Sequence, residues 1–393
     1  MRRLTLLLAP MCLLAQLAVR GNLVHTMSGP AIKDGVVLVR NGKIERVGPA
    51  SQVAVPVGYS TINAKVVTPG LVDAHTVIGL TGYLNQPHDQ EQVERSTALQ
   101  PELRAIDAYN PRDPLVEFVR KMGVTTLHTG HGPGALISGQ TMIVKTRGNT
   151  PEAAAMVAEA MVAATLGNDA KGEAGKTPGT RAKAVALLRT ELVKAREYAA
   201  NTKPDRARDL RLEALATVVE RKRPLLVTVQ RAHDIMTAIR LGKEFNLRLV
   251  LDGCAEAHQV LEQIKASGYP VILHPTMQRS GGEQENLSME TAATLRRAGI
   301  PFALQSGFEN YVPKTRVVLF EAAIAAANGL GVEDALRSVT IDAARLLGVQ
   351  SRVGSIEAGK DADLALYDGD PFEYTSHAVG VVIDGEIVSQ SLQ

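Results

Sequence analysis

Between about residues 66 and 354 the chain alternates short apolar runs with stretches of helical length, and this alternation limits the fold more than any other feature. Strand candidates are Val66–Val72, Gly123–Leu127, Met142–Lys145, Pro224–Val229, Arg248–Leu251, Pro270–Leu273 and Pro301–Leu304. Helical patterns at Leu115–Met122, Ala182–Tyr198, Ile235–Phe245, Ala257–Ser267 and Thr291–Ala298 separate many of them. Apolar strands joined by helices imply a parallel sheet with covered faces. The number of units favours a closed (β/α)8 barrel of TIM type. An open doubly wound sheet would want a Gly-x-Gly-x-x-Gly turn after an early strand, and none is present. The Ala-rich stretch Ala153–Ala199 reads as helical, interrupted by a loop over Gly167–Gly179.

Both ends of the chain read as β structure. Gly35–Arg40 and Lys43–Val47 flank Asn41-Gly42, and Val381–Ile383 and Glu386–Val388 flank Asp384-Gly385. Each dipeptide tolerates positive φ at both turn positions, a strong hairpin signal. Asp363–Tyr367 adds a further strand. The expected fold is therefore α/β: the barrel over residues 66–354, plus a small composite β-sandwich from residues 19–65 and 355–393.

Residues 1–18 have the pattern of a secretory signal: Arg2 and Arg3, then a nearly uncharged stretch from Leu4 to Val19. That predicts a secreted or periplasmic protein with no membrane association after signal cleavage. Of two cysteines, Cys12 lies in this segment, leaving Cys254 without an intrachain partner. Lys and Arg number 43 against 41 Asp and Glu, a net charge of +2, and no long basic run exists. A nucleic-acid partner is not expected on that balance. A small-molecule ligand or substrate is, and a homo-oligomer is compatible with the sequence.

The run Val67-Thr68-Pro69-Gly70-Leu71-Val72-Asp73-Ala74-His75-Thr76 resembles the first barrel strand of the amidohydrolase superfamily. The segments Asp334–Thr340, Ala343–Gly348 and Gly354–Leu364 resemble its signature tail, with the imidazolonepropionase-like members as the nearest branch. The resemblance implies hydrolysis of non-peptide C–N bonds, amide or cyclic amide, at the barrel mouth. It implies one or two divalent metals held by a His-x-His pair and later histidines, with a late Asp moving protons. A carboxylated Lys or a Glu bridges the metals in many members. This chain departs from that set. His75 alone keeps a family position, followed by Val77 where the second His belongs. Thr228 or Gln230 stands for the next His, Gly253 for the one after, and Gln305-Ser306-Gly307 for the Asp. Val and Gly offer no side-chain ligand, and Thr and Gln are poor ones for zinc. No cofactor is therefore expected, with zinc or another divalent metal implied only by a relocated site.

Candidate reacting groups are His75, His128, His131 and His274, since residues just after barrel strands point to the mouth. Candidate substrate contacts are His88, Lys145, Arg181 and Gln305. Lys145 fits a carboxylated bridge, a Schiff-base amine or an ion pair; Arg181 fits a carboxylate clamp or a solvated face. His274 fits a strand-end hydrogen bond or a pocket role. The two leading readings are a hydrolase with a rearranged or metal-free site and a non-catalytic small-molecule-binding barrel. A structural role in an assembly is the third.

Overall fold

The computed structural model describes residues 16–84, 86–172, 176–274, 281–308 and 317–390. The proposed signal up to residue 15, with Cys12, lies outside the described residues, as do Asn85 and Pro275. The N-terminal strands are β1 (Leu17–Val24), β2 (Ile32–Arg40), β3 (Lys43–Pro49) and β4 (Ser60–Pro69). The middle supplies β5 (Leu71–Thr76), β6 (Val124–Thr129), β7 (Ile137–Gln140), β8 (Met142–Lys145) and β9 (Ala155–Val157). It continues with β10 (Val162–Thr165), β11 (Leu225–Val229), β12 (Leu249–Gly253), β13 (Val271–Leu273) and β14 (Phe302–Leu304). The C-terminus adds β15 (Leu364–Tyr367), β16 (Ala378–Ile383) and β17 (Glu386–Gln390).

Strands from the two chain ends hydrogen-bond into one seven-stranded sheet, in the order β17-β16-β15-β4-β1-β2-β3. It is a single continuous sheet where two packed sheets were expected. Its faces explain the sequence of β2: Val37 and Val39 enter one apolar cluster, Val36 and Leu38 another. Each such burial is worth about 1.5–3 kcal/mol, so both faces are covered without a second sheet. Leu17 and Ala18 pair with Val39 and Leu38, so the boundary expected after residue 18 falls inside β1. The two hairpin turns do have positive φ at both positions, Asn41-Gly42 and Asp384-Gly385. They also abut: a Cβ on Gly42 would lie 3.0 Å from the Asp384 carbonyl oxygen.

The middle forms a six-stranded sheet, β14-β13-β12-β11-β10-β7, and a four-stranded one, β5-β6-β8-β9. β10 to β14 run parallel, as do β5 and β6. β7 and β8 run antiparallel to their neighbours β10 and β6, so the expected all-parallel order is broken there. The two sheets meet at two seams. Thr76 bridges Gly307 in parallel, with the Gly307 N–H donating to the His75 carbonyl at 3.1 Å. At the other, Thr141 between β7 and β8 exchanges backbone bonds with Met161 and Ala160.

The Ala-rich stretch departs from its helical expectation. Residues 155–157 and 162–165 are the strands β9 and β10, and β10 is fully buried between β7 and β11. Alanine's helix propensity is a weak preference, and a central sheet position overrides it. The helix Arg181–Ala200 begins instead after the loop, with the Thr180 side chain accepting from the Lys183 N–H.

Lys145 joins the middle of the chain to the end sheet. Its Nζ lies 2.8 Å from Asp361 and 3.1 Å from Asp363, and it also contacts Asp384. Burial works against ionisation of Asp361, but bonds from Lys145 and Lys43 outweigh it and hold the carboxyl near 2. A lysine committed to three carboxylates is a structural ion pair, which removes Lys145 from the substrate contacts.

Candidate active site

The C-terminal ends of β5, β11, β12, β13 and β14 converge on a cavity of about 320 Å³, within the range of small-molecule sites. His75 lies one residue before the end of β5, Thr228 near the end of β11, and Asp252 near the end of β12. His274 directly follows β13 and Gln305 directly follows β14. All five line the cavity. Parallel strands place their ends on one side of a sheet, which is why residues so far apart in sequence meet here.

Asp252 organises the site. Its Oδ1 accepts from His75 Nδ1 at 3.0 Å and from Gln305 Nε2 at 2.7 Å, and its Oδ2 accepts from Thr228 Oγ1 at 2.6 Å. Burial alone would raise its pKa, but the His75 charge and these three bonds pull it below the usual carboxylate range. An ionised Asp252 fixes the proton of neutral His75 on Nδ1, leaving Nε2 as the basic nitrogen. His75 is 4% exposed, and its Nε2 has no hydrogen-bond partner among the described residues. Burial opposes a charge on this imidazole, yet Asp252, with help from Asp73, raises its pKa above 6.5.

Asp73 lies behind this pair. It accepts the Ser306 N–H at 3.0 Å and the Ser306 hydroxyl. Burial pushes its pKa up to about 7, against the lowering effect of the Ser306 bonds. His274 is 5% exposed and neither ring nitrogen has a partner among the described residues. Gly307, at φ +66°, makes room for that ring: a Cβ there would sit 2.7 Å from His274 Nε2.

Other candidates lie elsewhere. His128 is fully buried, its Nδ1 2.7 Å from the Ala74 carbonyl oxygen and its Nε2 2.6 Å from Thr141 Oγ1. Burial, with the nearby His75 charge, pushes its pKa down to about 3. With both nitrogens engaged and no cavity surface, it is a neutral structural histidine rather than a reacting one. His131 is buried outside the cavity wall, and burial lowers its pKa. His88 is exposed on a short helical turn, Pro87–Asp89, and does not reach the cavity. Arg181 stands one layer back: its Nε bonds both oxygens of Asp234, and its Nη2 grips Glu283, which does line the cavity.

Asp73, Asp252, Asp169 and Glu283 are the site carboxylates the sequence reading passed over. The usable signal was the position of Asp252, a charge closing the apolar run Leu249-Val250-Leu251. Among the described residues, no three His, Cys, Asp or Glu side chains are grouped so that they could share a metal ion. Val77, Gln230 and Gly253 line the wall where the resemblance implies further ligands.

The family profile described as "Amidohydrolase family" matches residues 262–389. An imidazolonepropionase from Rhizorhabdus wittichii is 26% identical over 387 residues, covering 87% of this chain and 91% of that protein. The amidohydrolase tasK of Hapsidospora irregularis is also 26% identical, but the chain spans only 39% of its length. The crystal structure of an amidohydrolase from Thermotoga maritima MSB8 superposes with a TM-score of 0.90 at 30% identity, covering 95% of this chain and all of that one. The long match to that structure, together with the signature tail and the convergence of strand ends, establishes that the chain belongs to the amidohydrolase superfamily, with its resemblance to the imidazolonepropionase-like branch.

Proposed function

We propose that this protein hydrolyses a non-peptide C–N bond in a small amide or cyclic amide, using the His75–Asp252 pair in place of the family's metal set. One observation carries the reading: a buried imidazole held through Nδ1 by an ionised carboxylate, with its Nε2 on a cavity wall and without a partner among the described residues. His75 Nε2 takes a proton from water as the water oxygen attacks the amide carbon. The same proton then passes to the departing nitrogen as the C–N bond breaks. Asp252 keeps the ring oriented and stabilises its charged form. Gln230 and His274 are the wall groups available to the carbonyl oxygen.

The donor set supports a degenerate metal centre. Asp252 already accepts three hydrogen bonds, and Val77 and Gly253 have no donor atoms in their side chains. The hydrolysis therefore runs on the protein's own side chains. The same superposition supports reading the two middle sheets as one barrel, closed at Thr76–Gly307 and at Thr141, with its third position filled by the reversed segment β7–Thr141–β8, which pairs with β10 through β7 and with β6 through β8. Arg2, Arg3 and the apolar run after them support export.

The test is turnover of a panel of cyclic amides and N-acyl amino acids by chelator-treated protein. His75→Gln should cost roughly 10²–10⁴ in turnover. Because activity requires Nε2 unprotonated and the pKa is raised, the rate should rise with pH through a limb above 6.5. The competing reading, a non-catalytic binding pocket, is favoured by the apolar Val77 and Gly253. It predicts ligand-dependent thermal stabilisation without turnover.

A further inference from the structure

The charge around the cavity selects among small amides. Its described wall holds three carboxylates, Asp169, Asp252 and Glu283, and no Lys or Arg. Asp252 is consumed by His75, Thr228 and Gln305, so it is not free for a ligand. Glu283 is fixed on the rim: Arg181 grips one oxygen and the Asn168 N–H donates to the other at 2.8 Å. Gly167, at φ +101°, permits this approach, since a Cβ there would lie 2.5 Å from Glu283 Oε2. Arg181 does not neutralise the rim, because it serves Asp234 as well as Glu283.

Asp169 follows Asn168 directly, so the loop that anchors Glu283 also carries the second carboxylate to the cavity. Asp169 is half-buried and has no hydrogen bond or ion pair among the described residues. Burial and the neighbouring Glu283 charge push its pKa up, with Arg95 working the other way. A carboxylate kept partly out of water beside a second one is costly unless cations offset both, and here Arg95 and Arg181 face three carboxylates, Asp169, Glu283 and Asp234. On the same cavity wall, His274 is buried with neither ring nitrogen partnered among the described residues, an independent sign that a polar ligand completes the site.

We propose that the substrate carries a protonated amine, held by Asp169 beside the fixed charge of Glu283, while its amide group reaches His75. This rests on reading the cavity as the substrate site, and it narrows the substrate class to amino-amides. Anionic amides are disfavoured by the same pair of carboxylates.

The test uses three amides of similar size: β-alaninamide (cationic), butanamide (neutral) and succinamate (anionic). Dissociation constants are measured by calorimetry on the full chain and on Asp169→Asn and His75→Gln. A charge-assisted contact predicts that β-alaninamide binds roughly tenfold tighter than butanamide, with succinamate weakest. Asp169→Asn should remove the preference, bringing β-alaninamide to the affinity of butanamide measured on the same variant. Equal binding of the cation and the neutral amide, tighter binding of succinamate, or a preference that survives Asp169→Asn would overturn the proposal. So would the absence of saturable β-alaninamide binding up to about 50 mM. His75→Gln separates the two claims: it should keep the cation preference, whether or not the unmutated chain hydrolyses any amide.

Discussion

His75 and His128 show how neighbouring atoms decide what a histidine can do. Their rings are 5.5 Å apart and both are buried, yet their pKa values move in opposite directions. His75 faces the Asp252 carboxylate, which favours the charged form. His128 faces a carbonyl and a hydroxyl, and burial holds it neutral. This makes a stability prediction with a definite sign. For His128 the folded pKa, about 3, lies below the ordinary 6.5. Its contribution is therefore present above pH 6.5 and is lost progressively as pH falls towards 3, because only the unfolded chain takes up the proton. His128→Leu removes the imidazole partner of the Ala74 carbonyl and one partner of the Thr141 hydroxyl, which keeps its bonds to Met161, and should cost about 1–3 kcal/mol near pH 7. Urea unfolding at several pH values should show the gap between the two proteins narrowing from pH 7 to pH 4. A gap constant across that range would mean that His128 is not held neutral by the fold.

At the scale of elements, the turn after β14 depends on one backbone conformation. Gly307 combines positive φ, a bond to the His75 carbonyl and close approach to the His274 ring. Gly299 has a similar positive φ but open space around it, so it isolates the backbone cost. Gly299→Ala should lose about 1–2 kcal/mol. Gly307→Ala should lose more and also weaken ligand binding, since His274 must move. Equal losses by denaturant unfolding would show that the His274 contact is not tight. Much at this scale was legible beforehand. The Asn41-Gly42 and Asp384-Gly385 hairpins and most middle strands follow from turn chemistry and apolar runs. The strands β9 and β10 were not legible, because alanine does not mark a strand and only their neighbours, β8 for one and β7 and β11 for the other, make them strands. The reversal of β7 and β8 was hidden too, since a run of four or so apolar residues has no direction.

At the scale of the molecule, the order of the chain carried the family and the two-part organisation, while the chemistry depended on contacts across it. Asp252 meets His75 across 177 positions and Gln305 across 53, separations for which local patterns hold no signal. The same distance hid which partners Lys145 would take, so that an ion pair stood beside a substrate contact until Asp361 and Asp363, in the signature tail itself, were seen to hold it. His75 and His274 were identifiable because they end strands; His128 was not distinguishable from them on that criterion, since it also stands near a strand end. A His75–Asp252 pair that replaces a metal centre needs no bound ion, so metal content is the direct readout. Elemental analysis of the purified protein, before and after incubation with zinc, manganese and iron and removal of excess, should find well below one ion per chain. Turnover should then be unchanged by chelation and lost in His75→Gln. Near-stoichiometric metal that disappears together with activity on chelation would contradict the account.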